Sequence, residues 1–261
     1  MSPALHARIA GIGFWCNGLP DWDSACTFAR TGVLPTDAPV KPSPQLLPAN
    51  ERRRAPETVA VALDVAMAAC RSAGHDPATL PSVFTSTHGE LAITDYMAAT
   101  LASDPKAISP IRFHNSVHNA AAGYWTIGTG CTRPTTALSA YQASFAEGLL
   151  EALLQLHAGA PAVLLVACDG HATGPLAAVS RSTGLLGAAL VLTGPSGDGT
   201  PLQLDDIASP YPEAVPGPLQ RHAAGNAMAP MLPLFDALAA GTSHARLYAR
   251  PHRHLQLTLA E

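Results

Sequence analysis

Two uninterrupted runs, AVLLVA at residues 162–167 and AALVLT at 188–193, constrain this chain more than any other feature; each is bounded by turn-forming residues. A strand with one wet face alternates apolar and polar residues, so runs like these imply strands buried on both faces. Both belong in one core sheet with layers above and below it, which makes α/β layering the expectation. Composition points the same way. Charged residues are 13% of the chain and aromatics 5%, so the interior is built mostly from Ala, Leu and Val. At 261 residues, one large core and one compact unit are expected.

Other elements arrange themselves around those strands. Alternation over residues 10–14 predicts a first strand, and residues 21–32 a short helix ending at Gly32. Prolines at 35, 39, 42, 44, 48 and 56 forbid regular structure in between, so residues 35–56 read as a surface excursion. Residues 57–74 form a helix apolar almost all round, from Val59 to Cys70, hence buried on several sides, with Gly74 as its C-cap. A strand over 82–86 and a helix over 92–102 follow. Residues 135–140 read as a strand running directly into a helix from Gln142 to His157. Beyond Gly194 six prolines between 195 and 218 predict loosened chain, then a helix over 231–240 and an alternating segment over 254–259. No short-period repeat is present.

Several function classes drop out. A net charge of -4, with no like-charge run longer than Arg52 to Arg54, offers no footprint for nucleic acid. Only two lysines occur, Lys41 and Lys106, and a surface poor in charge is suited to burial against another protein. The five cysteines lack a C-x-x-C pair and read as free thiols in a reducing compartment. No membrane span and no leader pattern is legible, so a cytoplasmic protein is expected. Gly128-Thr129-Gly130 lacks the third glycine of a dinucleotide loop, and no phosphate-binding loop or G-x-S-x-G element occurs. No cofactor is expected.

The segment from residue 119 to 144 carries the functional signal. Asn119-Ala120-Ala121-Ala122-Gly123, then Gly128 and Pro134, then Leu138-Ser139-Ala140-Tyr141-Gln142-Ala143-Ser144 resembles the active-site region of β-ketoacyl synthases. That family shows an N-x-A-A-G motif, a G-P pair, a strand, and an S-x-A-C element whose cysteine opens a long helix. Counted without gaps from Pro134, the cysteine's place falls on Gln142. The resemblance implies a thiolase-like layered fold with the N-terminal half retained and the C-terminal half shortened. Residues 1–194 would be the ketosynthase-like core, and residues 195–261 a shortened C-terminal part packing on it. The family's two histidine motifs are missing; near Ala223-Ala224-Gly225 the place of one falls on Leu219.

An amide side chain has no anionic form near neutral pH and cannot form a thioester, so Gln142 removes the family's nucleophile. Chain-length factors of this family carry glutamine there, and short ketosynthase-like partner proteins of aryl-polyene biosynthesis share the layout. The resemblance therefore implies a non-catalytic subunit that pairs with a full-length β-ketoacyl synthase and meets acyl carrier protein through that complex. Phe113, His114, Val117, His118, Asn119, Tyr141 and Gln142 are the expected channel and interface residues. Alternatives stay open. Gln142 could support malonyl-thioester decarboxylation, as in glutamine-bearing loading ketosynthases; a hydrolase could be assembled from Ser, His and Asp residues that spacing does not reveal. Without the flanking motif Gln142 would read as a plain solvated helix-start residue; the motif favours the other reading. His114 and His118, four apart, could share a metal, but no third ligand is indicated and hydrogen-bonded histidines near an interface fit better. Arg52, Arg53 and Arg54 could meet an acidic carrier protein or simply form a solvated face.

Overall fold

The computed structural model describes residues 4–259. The chain opens on β1 (Leu5–Cys16) and α1 (Trp22–Thr31). Asp21 starts α1 through a capping box: its carboxylate accepts from the Ser24 amide at 2.8 Å, and the Ser24 hydroxyl accepts from the Asp21 amide at 3.2 Å. Next come α2 (Ala49–Arg52), α3 (Glu57–Ala73), β2 (Ser82–Thr85), α4 (Leu91–Ser103), α5 (Pro110–His114) and α6 (Ala120–Thr129). The middle of the chain holds β3 (Thr135–Leu138), α7 (Ser144–His157), β4 (Ala162–Asp169) and β5 (Leu186–Thr193). The last elements are β6 (Thr200–Ile207), α8 (Pro218–His222), α9 (Leu232–Ala240), β7 (His244–Arg250) and β8 (Arg253–Thr258).

All eight strands join one sheet in the order β3-β2-β4-β5-β1-β6-β8-β7. β2 pairs in parallel with both β3 and β4, and every other neighbouring pair is antiparallel. The two apolar runs are adjacent strands, in register from Ala162 opposite Thr193 to Asp169 opposite Leu186. Each is buried along its whole length. Their side chains alternate between two cores. Leu164, Val166, Ala189 and Val191 point towards α3 and α6, while Val163, Leu165, Leu190 and Leu192 face the side that holds α7 and α9. The result is a sheet between two helical layers, as the doubly buried strands require.

Contact between α3 and β1 is unusually close. A Cβ on Gly13 would stand 2.0 Å from the Val65 carbonyl oxygen, and one on Gly11 would stand 2.3 Å from that of Ala69. Both obstacles are backbone atoms of α3, so the helix lies on the strand where two side chains are missing. Ten residues of α3 are buried as a consequence, among them Val61, Leu63 and Ala66.

Three local expectations need correction. The proline-rich stretch 35–56 contains the single-turn helix α2, which follows Pro48. The chain beyond Gly194 is not loose at first: β6 occupies residues 200–207, lies beside β1 and buries Leu202 and Leu204. Pro201 is only the second residue of that strand, where a missing amide is tolerated, so the prolines masked a sound alternation. Likewise β7 buries Ala245, Leu247 and Ala249 between exposed His244, Arg246 and Arg250. Among the described residues, no helix is long and apolar enough to cross a membrane.

Replacing Gly13 with Ala is expected to destabilise the chain by at least about 3 kcal/mol, the upper range for overpacking, because the new methyl meets backbone. Gly123→Ala in α6, where a Cβ would touch nothing within 4 Å, is the control. It should be neutral or stabilise by about 0.5–1 kcal/mol. Urea midpoints of the two variants measure this. Thiol chemistry tests the core separately. Burial pushes the Cys16 and Cys70 thiols up to about 12 and raises Cys168 as well, whereas Cys26 is only partly buried. A thiolate reagent at pH 8 should therefore modify Cys26 first and reach Cys16, Cys70 and Cys168 only on unfolding. Peptide mass mapping with and without denaturant reads the order.

Candidate functional site

β3 stops at Leu138 and α7 begins at Ser144, so the expected direct passage from strand to helix is broken by a tight turn over Tyr141–Ala143. Tyr141 has φ 53°, the one positive value outside glycine among the described residues. A left-handed conformation costs an L-residue about 1–2 kcal/mol, so other bonds must hold this turn. Ser144 supplies two: its hydroxyl accepts from the Ala140 amide at 3.0 Å and donates to the Tyr141 carbonyl at 2.7 Å. Tyr141 and Gln142 consequently stand exposed before the helix start.

A loop beyond the end of β2 supports the turn from the other side. The Ser139 hydroxyl donates to the Thr87 carbonyl at 3.0 Å, and the Thr87 hydroxyl reaches the Tyr141 carbonyl at 3.4 Å. That loop is itself gathered by Asp169, the last residue of β4, which is fully buried. The Asp169 carboxylate accepts from the Ser86 hydroxyl at 2.6 Å, from the Thr87 amide at 3.0 Å and from the His88 amide at 3.3 Å. Burial pushes this carboxyl above the usual carboxylate range, against the pull of the Ser86 and Thr87 hydrogen bonds and of His88. Asn226 ties the C-terminal part to the same point, donating its side-chain amide to the Asp169 carbonyl at 3.0 Å.

Tyr141 and Gln142 line a cleft of about 650 Å³ whose opposite wall comes from Ser180, Arg181, Tyr211, Gln220 and Tyr248. No histidine lines it, and Leu219 is buried in the core. The other expected site residues lie elsewhere. Phe113 and His114 belong to α5, and Val117, His118 and Asn119 to the turn before α6. Phe113 is 58% and Val117 49% exposed, and neither reaches the Gln142 cleft. The His114 ring meets Tyr124 edge-on, whereas His118 Nε2 contacts the Ser86 carbonyl at 2.9 Å, so the two histidines do not converge on one point. Beside them Ile111, Arg112 and Asn115 line a second cleft of about 590 Å³, together with Glu90. Burial pushes the Glu90 carboxyl up, against a 2.8 Å hydrogen bond from Thr58. In that wall Asn115 Oδ1 and Thr173 Oγ1 are buried and have no hydrogen-bond partner among the described residues.

Asp169, Ser86, His88 and Ser180 were not anticipated. They come together because β2 and β4 are parallel neighbours whose carboxyl ends lie side by side, the usual place for a site in such sheets. The polar sequence Ser86-Thr87-His88-Gly89-Glu90 directly after a buried strand was the available signal.

Residues 26–254 match the family model described as "Beta-ketoacyl synthase, N-terminal domain". No curated protein matches the chain. Among solved structures, it is similar to a chain in the complex of the ketosynthase ApeO with its chain length factor ApeC from Xenorhabdus doucetiae. Identity is 25%, the TM-score is 0.77, and the match covers 97% of this chain and 99% of that one. The ishigamide ketosynthase/chain length factor gives 13% identity and TM-score 0.73, covering 98% and 100% of the two chains. A β-ketoacyl synthase from Burkholderia phymatum gives 12% identity and TM-score 0.58, with 92% of this chain matched to 71% of that one. With a family model matched across most of its length and this sheet between helical layers, the chain belongs to the β-ketoacyl synthase family and has its thiolase-like fold.

Proposed function

We propose that this chain is a cytoplasmic chain-length-factor subunit, without covalent chemistry in elongation, that pairs with a full-length β-ketoacyl synthase and shapes its acyl channel. The observation that carries this reading is Gln142. It occupies the turn before α7, at the place where the family's cysteine falls, in a geometry that would present a nucleophile. A carboxamide there cannot accept an acyl group. Similarity supports the reading from a second side: a chain in the ApeO–ApeC complex matches with TM-score 0.77 and 25% identity, against 0.58 and 12% for the Burkholderia phymatum synthase. Growing polyene, polyketide or fatty-acyl chains are the substrates that pass through such a complex, delivered on acyl carrier protein. Aryl-polyene assembly is the setting implied by the resemblance.

Pairing would use the segment from α5 to α6. Ile111, Phe113 and Val117 lie within seven residues and are 51%, 58% and 49% exposed, a concentration of apolar surface that a partner would cover. His118, anchored on Ser86, and Asn119 at the start of α6 would set its position beside the channel. Chain length would then be limited sterically. Extending an acyl chain into a filled apolar wall costs about 1–3 kcal/mol per misfit, enough to slow the next condensation.

Co-expression with a full-length ketosynthase should yield a stable one-to-one complex that elongates carrier-bound acyl groups, read by size-exclusion chromatography and intact-carrier mass spectrometry. Gln142→Ala should leave elongation by that complex within about twofold, since its side chain is exposed and has little to lose beyond solvent contact. Loss of turnover from an assembled Gln142→Ala complex would assign it a catalytic part instead. The channel wall has its own test. Phe113 is exposed in the chain alone, so Phe113→Ala should leave the fold intact and shift products to longer chains. An unchanged length profile for both Phe113→Ala and Val117→Ala would remove the wall from this segment.

A further inference from the structure

Beside the Gln142 cleft, three side chains from separate parts of the sequence stand in a row. Asp169 ends β4, His88 follows β2, and Ser180 lies in the connection from β4 to β5. Asp169 is fully buried, and His88 is nearly so, with 10% of its side chain exposed. His88 Nδ1 faces Asp169 Oδ1 at 3.9 Å, and His88 Nε2 makes a close hydrogen bond with the Ser180 hydroxyl. Ser180 is only partly buried and lines the cleft, next to Arg181.

The order of groups is what matters. A buried carboxylate facing Nδ1 favours the imidazole tautomer with its proton on Nδ1, which leaves Nε2 to accept the serine proton. Asp169 is held in place by three donors of the 86–88 loop, so it cannot swing away from the ring. The 3.9 Å gap is wider than a hydrogen bond, as is common before a substrate closes such a site. The hydrogen bonds of the 86–88 loop account for the buried carboxylate, but nothing in the chain-length-factor reading calls for a histidine ring between it and a cleft-facing serine.

We propose that Ser180, His88 and Asp169 form a hydrolytic relay that cleaves acyl esters and thioesters entering this cleft. The Ser180 oxygen attacks the acyl carbon while its proton passes to His88 Nε2. The bond to the leaving alcohol or thiol breaks, and that group takes the proton from His88. Water then adds to the acyl-serine with His88 again accepting the proton, and collapse releases the carboxylic acid and restores the Ser180 hydroxyl. Two guanidinium groups, Arg181 and Arg221, line the cleft; Arg181, adjacent in sequence to Ser180, is the one assigned to face the oxyanion. Pro230, Pro233 and Tyr248 give the same cleft an apolar side for an aliphatic acyl group. In a subunit that shapes an elongation channel, this activity would release stalled acyl groups.

The purified protein, alone or in complex with its synthase, is treated with a fluorophosphonate probe and assayed with p-nitrophenyl butyrate and butyryl-N-acetylcysteamine. The expected result is a single phosphonyl adduct mapped by peptide mass to Ser180, and hydrolysis of both probes. Ser180→Ala and His88→Gln should each lower the hydrolysis rate at least about 100-fold with thermal midpoints unchanged. Peptide mapping on the unaltered protein decides the matter even where a variant fails to fold. No adduct at Ser180, or hydrolysis that survives Ser180→Ala, overturns the relay. Neither result bears on the chain-length-factor reading, which is measured by elongation and product length.

Discussion

The approach of α3 to β1 sets the position of almost everything else in this chain. Helices normally sit on a sheet at a distance fixed by the side chains between them. Here Gly11 and Gly13 withdraw two of those side chains, and the backbones of α3 and β1 meet directly. Gly187 of β5 continues the same track, since a Cβ there would stand 2.7 Å from the Val61 side chain. Three glycines on two adjacent strands thus form a groove for α3, which buries most of its surface on β1, β5 and β4. With α3 seated, Thr58 at its first turn reaches the loop after β2, and the Cys168 thiol beside Asp169 contacts the Thr58 carbonyl at 3.6 Å. The depth of the helix in its groove therefore fixes where the carboxyl ends of β2 and β4 lie relative to the surface.

From that base the site is built by hydrogen bonds rather than by apolar packing. Asp169 is the hub. It gathers the 86–88 loop through its carboxylate and the C-terminal part through its carbonyl, and the loop in turn braces the turn at Tyr141. A fully buried carboxyl is costly unless its oxygens are satisfied, and three donors answer that requirement. The same requirement makes the arrangement cooperative: losing one donor strands part of the carboxyl and loosens a loop that lines the Gln142 cleft through Thr87.

Sequence reading recovered the elements whose signal is local. The doubly buried strands, α1 with Asp21 and Gly32 at its ends, and α3 with Gly74 were all legible, because periodicity and capping are written in neighbouring residues. It failed where a local cue opposed the tertiary outcome. Pro201 argued against β6, whose alternation is sound and whose place beside β1 is decided by Leu202 and Leu204. The family's motif located Tyr141 and Gln142 in the right turn, although it placed the helix start two residues early. The grouping of Asp169, Ser86, His88 and Ser180 was missed for a different reason. Their proximity comes from parallel pairing of strands about 80 residues apart, and no spacing rule spans such a crossover.

These observations show why the turn at residue 142 does not depend on the side chain that stands there. The strained backbone at Tyr141 is held by Ser144, Ser139 and Thr87, and the loop behind it by Asp169. The side chain of residue 142 takes no part in those bonds and points into a cleft open to solvent. Strain at a site persists when surrounding structure over-determines it, and here the determining residues are all neighbours of position 142. A cysteine or a glutamine there would experience the same turn, so exchange between them alters chemistry and leaves stability nearly untouched. The turn survives because it is the joint between β3 and α7, and α7 covers one face of the sheet. The architecture alone therefore maintains the geometry of this turn, whichever side chain position 142 carries.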